Sequence, residues 1–197
     1  HEFPEGFADA LREKLNHMSE LKLTSEERKY LDETLPYLNS AYLDFLQGYR
    51  YDPSEVEIEQ NGTELSVKIQ GYWYRTILWE VPILSWISEL YYEMTQQQRG
   101  SDEEVVEIVK RKAQSYLELG VKVAEFGTRR RHSYEVHTIV ADALKKYGGN
   151  SYVGTSNVHL AMKTKVKPIG THAHEWFMYH GARFGFKVAN GISLDRW

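Results

Sequence analysis

The chain has no cysteine among its 197 residues, and that absence removes disulfides, thiol nucleophiles and thiolate metal sites together. No apolar run reaches ~18 residues, the length a membrane-crossing helix requires. The acidic opening His1-Glu2-Phe3-Pro4-Glu5 is unlike a signal peptide. A formal net charge of −4 gives no general footing for nucleic acid. Proline is sparse at five, and Pro36 falls inside a helical pattern, where it would break or kink the helix. The remainder is 42% hydrophobic and 26% charged, which disfavours disordered, collagen-like and disulfide-scaffold classes. The fourteen Tyr and five Trp read first as core. These properties suit a cytoplasmic protein that uses neither membrane nor nucleic acid.

Helical spacing opens the chain, with Phe7, Leu11, Leu15 and Met18 on one face. Thr24 and Glu27 form the pattern of a capping box, starting a second helix with Tyr30, Leu31, Leu35 and Leu38 among its apolar positions. Ala41 to Leu46 predicts another turn or two. The period then changes. Val56 and Ile58 alternate with acidic residues, Asn61-Gly62 intervenes, and Leu65, Val67 and Ile69 alternate with polar ones. This predicts a hairpin with Asn61-Gly62 as its turn, a better reading of Asn61-Gly62-Thr63 than a glycosylation site. Leu78 to Met94 is mostly apolar, with Glu80, Glu89 and Glu93 spaced through it, and predicts a buried helix between two domains. Ser101 with Glu104 caps the next helix, which Gly120 stops; Val105, Ile108, Val109, Ala113, Tyr116 and Leu117 mark its buried face.

A third regime follows Gly120. Three apolar segments, Val121 to Thr128, Tyr152 to Thr155 and Val166 to Thr171, each end in Gly-Thr, with helical stretches Ser133 to Lys146 and Ser156 to Lys163 between them. Alternation of this kind implies βα units and a parallel sheet. The domain organisation expected is an α+β unit over 1–78, connecting helices over 79–120, and a partial α/β barrel over 121–197. Three such units do not close an eight-stranded barrel, so the chain reads as a truncated piece of a longer enzyme.

In parallel α/β folds chemistry gathers at the carboxyl ends of strands, where glycine admits ligands close to the backbone. The first such end is Glu125-Phe126-Gly127-Thr128-Arg129-Arg130-Arg131-His132-Ser133. Three arginines at a helix start oppose the dipole, a cost that a carboxylate or phosphate ligand would offset. The second, Gly154-Thr155-Ser156-Asn157, supplies hydroxyls and an amide, although Ser156 or Asn157 also suits an ordinary N-cap. The third is Thr171-His172-Ala173-His174-Glu175. Its two histidines would point the same way on an extended segment, open to metal ligation, nucleophilic or acid–base work, or a structural role. Glu175 is the adjacent acceptor that an activated histidine would need. His132 and His137 read as surface residues, and His159 has no ligand-like neighbour.

Five stretches together resemble the bacterial nicotinate phosphoribosyltransferases: Gly71-Tyr72-Trp73, Ile77 to Leu84 with Ser88 to Tyr92, Glu125 to Arg131, Val153 to Asn157, and Pro168 to Trp176. They occur in the right order, from about Leu23 onward. The resemblance implies an α+β sandwich-like domain followed by the first βα units of an irregular, TIM-like α/β barrel. It implies an ATP-coupled ligase and glycosyltransferase of NAD salvage. Nicotinate and phosphoribosyl pyrophosphate (PRPP) would give nicotinate mononucleotide and pyrophosphate through a phosphohistidine. His174 maps to the phosphoryl acceptor, with Glu175 beside it. Arg129, Arg130 and Arg131 map to substrate binding, Phe126, Gly127 and Thr128 to the nicotinate and ribose site, and Thr155, Ser156, Asn157, Thr171 and His172 to its surroundings. Mg²⁺ would arrive with PRPP and ATP; no resident metal or tightly bound organic cofactor is expected. The resemblance also implies small-molecule substrates and homodimers with active sites near the subunit interface.

The family's N-terminal tyrosine segment and later phosphate-binding strands lie outside the matching residues, so this chain alone is expected to be inactive. Three other readings stand beside this one. They are a metal-dependent barrel hydrolase using His172 and His174, a nicotinamide-specific phosphoribosyltransferase, and a non-catalytic binding module.

Overall fold

The computed structural model describes residues 2–197. Helix α1, Phe7–His17, buries Phe7, Ala8, Leu11 and Leu15 at the spacing its sequence predicts. The capping box at Thr24 and Glu27 forms, and α2 spans Ser25–Thr34. It stops before Leu35, because the residue preceding Pro36 is driven from helical backbone; Leu38 therefore lies outside it. Asn39 caps α3, Ser40–Gly48.

Strands β1, Val56–Asn61, and β2, Glu64–Ile69, form the antiparallel hairpin. The loop is one residue later than expected. Asn61 pairs with Glu64, and Gly62-Thr63 make the turn, with Gly62 at φ +60°, backbone that glycine adopts without strain. Ile58 turns into a core that also holds Phe7, Leu11, Trp79, Ile83 and Leu90. The Gln60 amide joins hairpin to helix, accepting from Ala8 N–H at 3.0 Å and donating to Pro4 O at 2.8 Å. Trp79 is fully buried, and its indole N–H donates to Glu55 at 2.9 Å.

A short helix α4, Trp73–Thr76, leads through a 3₁₀ turn into α5, Glu80–Met94. One side of α5 packs into the core with α1, and the other meets the turn at Thr128–Arg130. The second capping box, Ser101 with Glu104, opens α6, Asp102–Glu118. Val109 and Ala113 are buried against their neighbours, whereas Ile108 and Leu117 are 44% and 41% exposed. The expected stripe is wider than its cover, because α6 packs mainly against α7 (Tyr134–Tyr147). A groove between α6 and β3 (Val123–Glu125) stays open.

Strand β3 pairs in parallel with β4, Tyr152–Thr155, and α8, Val158–Thr164, follows. The third apolar segment is shorter than expected. It makes a single parallel bridge, Thr155 to Pro168, with Thr155 N–H donating to Lys167 O at 3.2 Å and Ile169 N–H donating to Thr155 O at 2.9 Å. Gly154 is required there, since a Cβ would stand 2.0 Å from Lys167 O. Two helices close the described chain, α9, His174–Phe184, and α10, Phe186–Asp195, packed on each other. No helix among the described residues is long and apolar enough to cross a membrane.

Candidate active site

The three loops meet at one edge of the parallel pair, organised from below by Glu125. Its carboxylate accepts the Gly127 N–H and the Thr155 hydroxyl, the latter at 2.5 Å. His137 Nε2 lies 2.9 Å from Glu125 Oε2, an electrostatic contact outside straight hydrogen-bond alignment. The main chain continues the tie, with Ser156 N–H donating to Glu125 O at 2.8 Å. Burial alone would raise the Glu125 pKa. The contacts with His137, Thr155 and Gly127 outweigh it and hold the carboxyl below its ordinary value. His137 is therefore no surface residue; it sits on the buried face of α7.

Thr155 is fully buried, and its oxygen also accepts Asn157 N–H at 3.0 Å, so its hydroxyl is committed to the floor. Asn157 is the N-cap of α8, accepting Leu160 N–H at 3.0 Å, and its amide donates to the Thr128 hydroxyl at 3.2 Å. Asn157 thus joins the first two loops. Ser156 is half-buried above them, while Phe126 and Thr171 are exposed.

The arginines do not sit on a helix start. Residues Thr128–Arg130 form a 3₁₀ turn, and Ser133 caps α7 with Glu135 in its first turn, which removes the expected conflict with the helix dipole. Nor are all three free. Arg129 is hydrogen-bonded to Glu80, and Arg131 pairs with Glu89, both carboxylates coming from α5. Arg130 is exposed and has no side-chain partner among the described residues. Helix α5 also grips the loop backbone: Ser85 donates to Thr128 O at 2.9 Å and Ser88 to Arg131 O at 2.8 Å. Reasoning from sequence missed these four α5 residues as parts of the site. Their signal was polar groups set in an otherwise apolar helix.

The two histidines of the third loop go to different neighbours. His172 meets the edges of Trp197 and Phe177, with ring centroids 4.8 and 6.0 Å away. His174 opens α9, its side chain 62% exposed, with Nε2 2.8 Å from Glu175 Oε1. Glu175 in turn lies beside Glu80, with one side-chain atom of each of Glu80, His174 and Glu175 within 4.8 Å of the others. Burial and then the Glu80 carboxylate raise the Glu175 pKa. Glu80 is moved the other way. Burial acts to raise it, but hydrogen bonds from Glu175 and Arg129 prevail and lower it. A continuous chain results: Arg129, Glu80, Glu175, His174.

The nearest set of ligand-type groups is Glu80, His174 and Glu175, with donor atoms within 4.8 Å of one another, and His172 is not in it. Within that set the Glu80 carboxylate is already paired with the Arg129 guanidinium. Ala173, the N-cap of α9, gives no side-chain cap, and Trp176 N–H donates to Ala173 O at 3.2 Å, while the positive end of the helix dipole lies beside His174. Of the remaining histidines, His180 is buried against Trp176, and His159 Nδ1 lies 3.0 Å from Glu27, joining α8 to α2.

Two family models match the chain. Residues 1–88 fit the nicotinate phosphoribosyltransferase N-terminal domain, and residues 121–197 fit the nicotinate phosphoribosyltransferase family. The chain is 54% identical over 197 residues to a nicotinate phosphoribosyltransferase of Chromohalobacter salexigens, covering 100% of this chain and 50% of that protein. A Desulforapulum autotrophicum protein of the same name is 44% identical over 99% of this chain and 50% of its own length. The crystal structure of nicotinate phosphoribosyltransferase from Porphyromonas gingivalis superposes with a TM-score of 0.95 at 42% identity, covering all of this chain and 51% of that one. The Vibrio cholerae enzyme gives 0.88 at 30% identity, over 98% of this chain and 48% of its own. The chain spans about half the length of the curated relatives it matches. The two models together cover most of the chain, and the chain belongs to the nicotinate phosphoribosyltransferase family.

Proposed function

We propose that the whole protein makes nicotinate mononucleotide and pyrophosphate from nicotinate and PRPP, coupled to ATP hydrolysis, with His174 as the phosphoryl acceptor. The observation that carries this reading is the chain from Arg129 through Glu80 and Glu175 to His174, beside the uncapped start of α9. With Nε2 lying 2.8 Å from Glu175 Oε1, Nδ1 is the ring nitrogen left to act as the nucleophile. It attacks the γ-phosphorus of ATP and ADP departs. The N–H groups of α9 and its dipole then favour the dianion formed on the ring.

Arg130 is the unpaired guanidinium of the site and suits the carboxylate of nicotinate, favouring the acid over the amide. Attack by the pyridine nitrogen breaks the bond from ribose to pyrophosphate, and guanidinium and backbone N–H groups stabilise the charge leaving. Phe126, Gly127 and Thr128 border the ring and ribose, with Ser156, Asn157, Thr171 and His172 around them and Thr155 beneath. Mg²⁺ enters with the phosphates of PRPP and ATP, as part of the substrates.

The same reading makes β3, β4 and the bridge at Pro168 the start of an irregular α/β barrel, with α5 and α6 as connectors from an α+β sandwich-like domain. It places the protein in the cytoplasm, as a homodimer acting in NAD salvage. Supplying the whole protein with nicotinate, PRPP and Mg·ATP tests it. Nicotinate-dependent pyrophosphate release, stimulated by ATP and much weaker with nicotinamide, is expected. No nicotinate-dependent release would overturn it.

A further inference from the structure

We propose that Asn157 is a positioning residue that makes the Thr128 hydroxyl a fixed donor for an anionic oxygen of the substrates. This rests on the phosphoribosyl transfer proposed above. Asn157 Oδ1 accepts Leu160 N–H at 3.0 Å as the N-cap of α8. A backbone N–H can only donate, so the cap settles which end of the amide is oxygen. The Nδ2 end therefore faces the first loop, donating to the Thr128 hydroxyl oxygen at 3.2 Å.

A hydroxyl can turn either its one proton or a lone pair to a neighbour. Facing an N–H, Thr128 presents a lone pair, and its proton is left for another acceptor. No other group among the described residues is bonded to that hydroxyl. Thr128 is half-buried, and its backbone is held from α5 by Ser85, which donates to Thr128 O at 2.9 Å. It opens the 3₁₀ turn that also carries the exposed Arg130. A fixed donor on the same turn as a free guanidinium suits oxygens that can only accept. Those of the nicotinate carboxylate and of the PRPP phosphates are of this kind.

The test measures kcat and separate KM values for nicotinate and PRPP in the whole protein, with the melting temperature alongside. Asp and Ser both cap helices well, so Asn157→Asp and Asn157→Ser keep the start of α8 while removing the N–H. Asp also turns an acceptor to Thr128, which then donates to residue 157 instead of to substrate. Asn157→Asp should raise KM for one anion by roughly ten- to a hundredfold, as should Thr128→Val, with the melting temperature of Asn157→Asp held. Asn157→Ser, which adds no charge, should raise the same KM severalfold, and Thr128→Ser should stay near wild type. The anion whose KM moves is the one that the hydroxyl holds. In the Thr128→Val background either change at position 157 should do little more. Unmoved KM for both anions, or an equal effect of Asn157→Asp with and without the Thr128 hydroxyl, would overturn the proposal while leaving the activity standing. If the wild-type protein releases no pyrophosphate from nicotinate and PRPP, the proposed function itself falls, and the role of Asn157 with it.

Discussion

Glu125 and Glu80 both tie strand-end loops together, yet the first is sealed beneath the parallel pair and the second lies open at its rim. Glu125 gathers Gly127 and Thr155 as fixed donors and has His137 against it. Glu80 joins Arg129 to a carboxyl that leads on to a half-exposed imidazole. Similar chemistry therefore serves two ends. Where solvent is excluded, the carboxylate fixes the shape of the loops; at the rim, it holds Arg129 of the first loop near the start of α9.

The largest expected effect comes from breaking the sealed side. Glu125→Ala leaves the Gly127 N–H and the Thr155 hydroxyl without their acceptor and should cost roughly 3 kcal/mol in denaturant unfolding. A cost below about 1 kcal/mol would mean that Glu125 does not hold the floor. The same carboxyl has an acid signature. Its folded pKa is depressed, so its stabilisation is present above its ordinary 4.5 and is lost as pH falls through the folded value. Melting temperature followed downward through that window should fall more steeply in wild type than in Glu125→Gln.

The open side should answer differently. Arg130→Ala removes a guanidinium with no side-chain partner among the described residues, so the melting temperature should hold while KM for nicotinate rises by roughly ten- to a hundredfold. Equal loss of stability would place Arg130 in the scaffold. The smallest effect belongs to Thr155→Val, which keeps the volume but loses the bond to Glu125. It should cost about 1–2 kcal/mol and leave KM nearly unchanged, because Thr155 faces the floor.

What could be read from the chain followed the range of the interactions. Both capping boxes, at Thr24 with Glu27 and Ser101 with Glu104, join residues close in sequence, and both formed. The hairpin slipped by one residue in its loop because Gly62, not Asn61, takes the positive φ. His174 and Glu175 were legible as a motif, and their contact is local. Glu80 was not, since only the fold brings α5 to these loops. A closer look at periodicity would have found His137, which shares the buried face of α7 with Ala141 and Leu144. The expected open floor of three arginines was reduced to one free guanidinium by Glu80 and Glu89, again from α5.

The most direct measurement is to locate the phosphate. The whole protein should be incubated with γ-labelled Mg·ATP, digested, and its labelled peptide sequenced. The account predicts acid-labile, base-stable label on His174 that is discharged when nicotinate and PRPP are added. Label on another residue, or ATP-stimulated product formation with no labelled protein, would contradict it.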